Sequence, residues 1–328
     1  MLAKVWRFTT AAALAIAALA TPADAADKVS LMISWRPQAD YGGYYQAQAT
    51  GIYAKHNLEV DIRSGGPQID GAALLVAGRV DFLLASSMAG LYYVQEKLPF
   101  MVTAAIFQKD PQILMVHPTS GYNSLADLKG KPIIIGASSR TSFWPFLKAK
   151  FGYTDEQIRP FTFNYAPFLA DKTAAQQGYI NADVNAIRKA GLDPKTFLLW
   201  DAGYENYTNT INTSRKLVES NPDLVQRFVN ASIEGWYSYL NGNPVPANDL
   251  IKKLNPDMTD EEIAYNYTTM KERGLVDSGD AKTLGIGAMT EQRWASFIKN
   301  NIDTGLLAPN VDWKQAYTLQ FVNKKVGM

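Results

Sequence analysis

Short apolar strands separated by helical patterns constrain this chain more than any other feature. Strand-type runs occur at Val29 to Ser34, Leu58 to Ile62, Val80 to Ala85, Met101 to Phe107, Gln112 to His117, Pro132 to Gly136, Phe161 to Tyr165 and Thr196 to Trp200. Apolar strands alternating with helices predict parallel sheets covered by helices on both faces, an α/β architecture. Beyond Asn221 the pattern becomes almost wholly helical. Asn221-Pro222 opens a segment running to Asn241, and Thr259-Asp260-Glu261-Glu262 has capping-box spacing ahead of a helix ending at Arg273. Asn57 and Gly78 stand where the chain leaves a helix, positions that favour left-handed backbone.

A chain of 328 residues exceeds one ordinary core, so two lobes are expected. No repeat or low-complexity linker separates them, which implies that extended segments cross between the lobes as a hinge. Asp110-Pro111, within Lys109 to Pro118, and the polar stretch Tyr204 to Thr213 mark the two crossings. The expected division is a discontinuous outer lobe, 27–114 and 210–328, with a second lobe, 115–209, inserted into it.

Thirty-two Lys and Arg against 31 Asp and Glu leave a net charge of +1, too small for a phosphate backbone to be the partner. Nucleic acid is therefore excluded as an expected ligand. Lys4 and Arg7 precede an apolar run, Ala11 to Ala20, and then Thr21-Pro22-Ala23-Asp24-Ala25-Ala26. That order is a secretory signal over residues 1–26, cleaved after Ala25 or Ala26, and its apolar run is too short to span a bilayer. The absence of cysteine removes disulfides, thiolate metal sites and a lipidated N-terminal cysteine, so a free periplasmic protein is expected. With only His56 and His117, a poly-histidine metal site cannot form in one chain, and neither metal nor cofactor is expected.

Three stretches carry a resemblance: WRPQADYGGYYQAQATGIYAKHNLEVDI, LLVAGRVDFLLAS and SLADLKGKPIIIGASS. In order and spacing they resemble the solute-binding proteins of ABC importers, specifically the type II group that binds sulfonates, taurine, nitrate and pyrimidine thiamine precursors. The resemblance covers nearly the whole mature chain and is nearest to the pyrimidine-precursor branch. It implies a two-lobed type II periplasmic binding protein, a monomer that delivers a small molecule to the membrane subunits of an ABC permease. Members of that branch often have histidine where this chain has Tyr41. They also tend to have glutamate and proline after the segment matching Ala174 to Tyr179, where this chain reads Ile180-Asn181-Ala182-Asp183-Val184-Asn185.

The residues suggest how such a cleft would hold its ligand. Aromatic faces grip a planar heterocycle, and Trp35, Tyr41, Tyr44, Trp144 and Tyr165 are the candidates, with plain core packing the alternative. Gly65 and Gly66, in Ser64-Gly65-Gly66-Pro67, allow close backbone approach or serve only as a turn. Ser87, Ser138 and Ser139 stand at expected helix N-termini, where they contact the ligand or simply cap. Arg140 would take a carboxylate, sulfonate or phosphate, and Asp183 an amino group or ring N–H. No catalytic residue stands out: the chain has no G-x-S-x-G elbow and no P-loop lysine. The expected function is capture of a small heteroaromatic ligand for an importer. The alternatives are the same role for an aliphatic sulfonate, taurine or other anion, and an enzyme on the same fold that makes a pyrimidine or hydrolyses its ligand.

Overall fold

The computed structural model describes residues 25–328 other than 67, 68, 141 and 163, with backbone alone at 137 and 138. The proposed signal, apart from Ala25 and Ala26, lies outside the described residues.

Ten strands form two five-stranded sheets. They are β1 (Asp27–Met32), β2 (Leu58–Arg63), β3 (Phe82–Ser86), β4 (Phe100–Phe107), β5 (Gln112–Val116), β6 (Ile133–Ile135), β7 (Ile158–Pro160), β8 (Ala175–Tyr179), β9 (Lys195–Leu198) and β10 (Thr208–Ser214). The first sheet runs β2-β1-β3-β10-β4 and the second β7-β6-β8-β5-β9. The helices used below are α1 (Gly42–Ala49), α2 (Ser87–Gln95), α3 (Trp144–Phe151), α4 (Asp183–Lys189), α5 (Pro222–Asn241), α6 (Asp260–Arg273) and α7 (Glu291–Asp303). Two sheets, each flanked by helices, make a two-lobed α/β fold.

The expectation of parallel sheets holds only in part. β1 lies parallel to β2 and β3, and β6 parallel to β7 and β8, but β10 is antiparallel to β3 and β4, and β5 to β8 and β9. The reversed strands are those next to the passages between sheets. The chain leaves the first sheet at Phe107, enters the second at Gln112, and returns between Leu198 and Thr208. A strand fed from the other lobe has no crossover helix to turn it parallel.

β10 was hidden from a reading of apolar pattern because its sequence is TNTINTS. It sits mid-sheet between β3 and β4 with its centre buried. Several of its polar side chains bond neighbouring backbone: Thr213 Oγ1 donates to Asp81 O at 2.7 Å and Asn212 Nδ2 to Leu83 O at 3.1 Å. The strand expected at Phe161 to Tyr165 is also corrected: β7 ends at Pro160, and Tyr165 precedes the short helix Ala166–Ala170. Pro160 lacks an N–H, which an edge strand such as β7 tolerates.

The first lobe's core is dominated by α5, whose N-cap Asn221 accepts from Leu224 N. Phe228 stacks on Phe82 at 3.9 Å, and α1 crosses α5 through glycines. A Cβ on Gly42 would lie 2.2 Å from the Tyr239 ring, one on Gly43 2.2 Å from the Trp236 ring, and one on Gly235 2.3 Å from Gly43 O. The Gly-Gly pair before Tyr44 is thus a helix-packing device. The second lobe has thinner cores on the two sides of its sheet, one around Leu114, Trp144 and Leu147, the other around Ile113, Phe168 and Ile187.

The two crossings are tied to each other by buried polar contacts. Asn206 Nδ2 donates to Asp110 Oδ2 at 2.6 Å, and Ser87 Oγ to Asn206 Oδ1 at 2.5 Å. From α7, Arg293 lies against the Trp200 ring at 4.6 Å and the Tyr207 ring at 3.7 Å, while donating through Nη1 to Gln108 Oε1 at 3.1 Å and through Nη2 to Gln108 O.

Candidate ligand cleft between the sheets

A cavity of about 690 Å³ opens where strand ends of the two sheets face each other. Its first-lobe wall includes Ser34 after β1, Gly65 after β2, Ser86 ending β3, and Met88 and Tyr92 on α2. Its second-lobe wall includes Arg140, Ser142, Pro145 and Tyr179, the last residue of β8. Strand termini of an open sheet carry helix N-termini and short loops, so ligand sites collect there. Ile69 and Tyr92, 46% and 50% exposed, are large apolar side chains left uncovered at this cavity. Such exposure in a concave site favours an apolar or aromatic ligand face. A second cavity of about 610 Å³ shares Arg140, Pro145 and Leu306 with the first and continues past Trp144 and Lys148.

Of the residues expected from sequence, Gly65 and Arg140 line the main cavity. Gly65 is held there by geometry: a Cβ would sit 2.4 Å from Ile33 O, and its N–H donates to Trp35 O at 2.9 Å. At Gly66 the Cβ position is open, so the close approach is made one residue earlier. Arg140 is exposed and forms no ion pair among the described residues, and it is the one charged side chain among the cavity-lining residues described.

The other expected contacts lie elsewhere. Tyr44 is fully buried, edge-on to Trp236 at 5.9 Å, because α1 turns it into the first core. Trp144 is buried against Tyr153 and donates Nε1 to Asp155 Oδ1 at 2.8 Å, so it borders only the adjoining cavity. Ser87 is buried with its hydroxyl engaged twice, donating to Asn206 and accepting from Tyr207 N at 3.0 Å, so it braces the returning crossing. Trp35 packs half-buried on the first core. Tyr41 is buried, and its hydroxyl pairs with Ser34 Oγ at 2.9 Å, so it reaches the cavity through Ser34. Burial and the nearby Asp40 carboxylate raise that phenol well above its ordinary range.

In the second lobe, Ser139 Oγ donates to Gln177 Oε1 at 2.6 Å, which also accepts from Gly136 N at 2.6 Å. The Ser138 side chain lies outside the described residues. Asp183 opens α4, and both its oxygens are occupied: Oδ1 accepts from Tyr165 Oη and Oδ2 from Tyr179 N at 2.5 Å. Burial raises its carboxyl, opposed by those hydrogen bonds. Asp183 and Tyr165 therefore hold the end of β8, and Tyr179 is the residue of that group that lines the cavity.

Sequence reasoning passed over Ser34, Met88, Tyr92, Tyr179, Thr208 and Leu306. The positional rule for strand ends would have found Ser34 and Tyr179. Leu306 lies 272 residues beyond Ser34 in the chain and carries no local signal.

Below the cleft, Asp40 is buried among amides. Gln38 Nε2 donates to Oδ2, Asn181 Nδ2 to Oδ1, and Asn209 Nδ2 to the Asp40 carbonyl at 2.6 Å. Asn181 Nδ2 also donates to Asn266 Oδ1 on α6 at 3.0 Å. Burial pushes the Asp40 carboxyl up to about 6, against the amide hydrogen bonds that lower it.

Comparison with known proteins gives this geometry a class. The family described as NMT1/THI5 like matches residues 38–247, and the chain belongs to that family. The chain is 28% identical over 303 residues to the riboflavin-binding protein RibY of Chloroflexus aurantiacus, covering 90% of this chain and 86% of that one. It is 24% identical over 257 residues to the formylaminopyrimidine-binding protein of Halalkalibacterium halodurans, covering 76% and 75%. The fold is shared with the periplasmic aliphatic sulphonate binding protein SsuA of Escherichia coli, with TM-score 0.67, 13% identity, and coverage of 88% and 91%. It is shared too with the desulfurization enzyme DSZB, with TM-score 0.60, 14% identity, and coverage of 90% and 98%. The chain is thus an NMT1/THI5-like protein with the fold of the periplasmic binding proteins. Among the described residues, no helix is long and apolar enough to cross a membrane.

Proposed function

We propose that this protein is the exported receptor of an ABC importer, and that it captures a small heteroaromatic molecule between its lobes for a membrane permease. In this reading the division expected at 114/115 and 209/210 is drawn instead at the sheet boundaries, because β5 starts at Gln112 and β10 at Thr208, and the parts before residue 108 and after residue 207 move against 112–198 about residues 108–111 and 199–207. Closure would bury the ligand and join the two walls. The observation that carries the reading is the 690 Å³ cleft, built from both sheets and bearing the exposed Tyr92 and Ile69. Tyr92 meets the neighbouring Tyr93 ring only edge-on, at 6.5 Å, and its half-exposed ring offers a stacking face for a planar ligand. The two relatives named for a flavin and a pyrimidine support that class of ligand.

Arg140 supports a second reading, capture of an aliphatic anion. A thermal-shift panel of riboflavin, aminopyrimidines, taurine and alkanesulfonates separates the two, since a ligand that binds only the native state raises the melting temperature. The heteroaromatic reading expects a rise with a flavin or pyrimidine, retained in Arg140→Ala and lost in Tyr92→Ala. The reverse pattern, with taurine or a sulfonate active, overturns it. Chemical change of a bound ligand on prolonged incubation would instead make the protein an enzyme.

A further inference from the structure

The Asp40 cluster joins parts of the chain that belong to different lobes. Asp40 and Gln38 precede α1, Asn209 is the second residue of β10, and Asn266 lies on α6, all on the first-sheet side. Asn181 follows β8 in the second sheet, and it reaches across to both Asp40 and Asn266. Asp40, Asn181 and Asn266 are 4%, 0% and 2% exposed, so the contact is dry. Every side-chain partner of the carboxyl is a neutral amide, and among the described residues no lysine, arginine or histidine pairs with it.

A carboxylate buried without a cation is costly, and the inexpensive remedy is a proton. Two neighbouring acceptors also lack a donor. Asn181 Oδ1 and Asn209 Oδ1 are buried with no hydrogen-bond partner among the described residues. A protonated Asp40 can donate to Asn181 Oδ1 once that amide is turned over, with the Asn266 amide turned in step so that its Nδ2 faces the Asn181 oxygen. The ionisable groups facing the cluster reinforce the same direction: Asp183 from α4 is acidic, and Tyr41, Tyr179 from β8 and Tyr239 from α5 carry no positive charge.

We infer that lobe closure takes up a proton at Asp40, so that the Asp40–Asn181–Asn266 clasp makes capture favourable in acid and release favourable towards neutrality. The inference rests on the hinge closure proposed above. Opening separates Asn181 from Asp40 and lets water reach the carboxyl, which returns towards its ordinary value near 4. The sign follows from linkage: the closed form binds the proton more tightly, so closure is strengthened as pH falls from about 6 to about 4 and is insensitive to Asp40 above about 7.

The chain has no cysteine, so spin labels can be placed at Val76→Cys in the first lobe and Ala149→Cys in the second, both exposed. Label distances in ligand-free protein report closure whether or not the ligand class is right. With one linked proton, the closed-to-open ratio should be about tenfold greater at pH 5 than at pH 7. Asp40→Asn should flatten that dependence and hold the acid-like ratio at both values. Asn181→Asp sets a second carboxyl beside the first and should move the transition to higher pH. A ratio that does not change between pH 5 and 7, or an Asp40→Asn protein that keeps the tenfold change, overturns the inference. Failure of the flavin and pyrimidine panel with the pH response intact would overturn the ligand reading alone.

Discussion

The two walls of the cleft are made in different ways. At its strand ends the first lobe presents backbone and short side chains, Ser34, Gly65 and Ser86, with the larger Ile69, Met88 and Tyr92 beside them, over a thick core in which α1 and α5 touch through glycines. The second presents long side chains, Arg140 and Tyr179, over a thin sheet, with Asp183 and Tyr165 fastening the end of β8 behind them. A wall of backbone is changed only by changing the fold, whereas a wall of side chains is altered residue by residue. Stability and binding should therefore separate between the strand ends of the first wall and the side chains of the second, with Ile69, Met88 and Tyr92 the first-wall side chains that can also be altered singly.

The sharpest way to break this contrast is at the α1–α5 crossing. Gly43→Ala places a methyl 2.2 Å from the Trp236 ring, and overpacking of this kind should cost about 3 kcal/mol, read as a lowered urea midpoint. A midpoint within error of wild type would show that the glycines are not packing residues. Next, Arg293→Ala removes the guanidinium held by Trp200, Tyr207 and Gln108, for an expected loss of about 2 kcal/mol. Its hydrogen-exchange protection should fall at 108–111 and 199–207 more than in α5, and a uniform change would deny the link to the crossings.

Tyr92→Ala should leave the melting temperature nearly unchanged and weaken binding of a responsive flavin or pyrimidine by about 1 to 3 kcal/mol in calorimetry. Unchanged affinity would remove Tyr92 from the site. The smallest effect is expected from Trp144→Phe, which loses the hydrogen bond to Asp155 for about 1 kcal/mol of stability. Ligand affinity should not move, and a tenfold loss would return Trp144 to the cleft.

The architecture was largely legible in the amino-acid pattern. Strand and helix periodicities reflect which faces are buried, and that is a local property of sequence, as is the Thr259 cap whose side chain accepts from Glu262 N. Of the residues lining the candidate cleft, Gly65 and Arg140 were the ones legible in the sequence. Tyr44 and Trp144 have the composition of ligand-stacking residues, but an aromatic ring suits a core equally well, and only the direction of its helix decides between them. Ser87 likewise reads as a helix N-terminus, yet its hydroxyl is claimed by Asn206, more than a hundred residues away.

The sequence by itself determined the α/β class, the two lobes, the long helices and the family, because each rests on short-range periodicity or on the order of segments along the chain. Tertiary structure alone decided the antiparallel placing of β10, which strand ends face one another, and the meeting of Asp40 with Asn181. Those depend on residues distant in sequence being brought within hydrogen-bonding range, and the energy of a buried polar group is set by neighbours that no local pattern names.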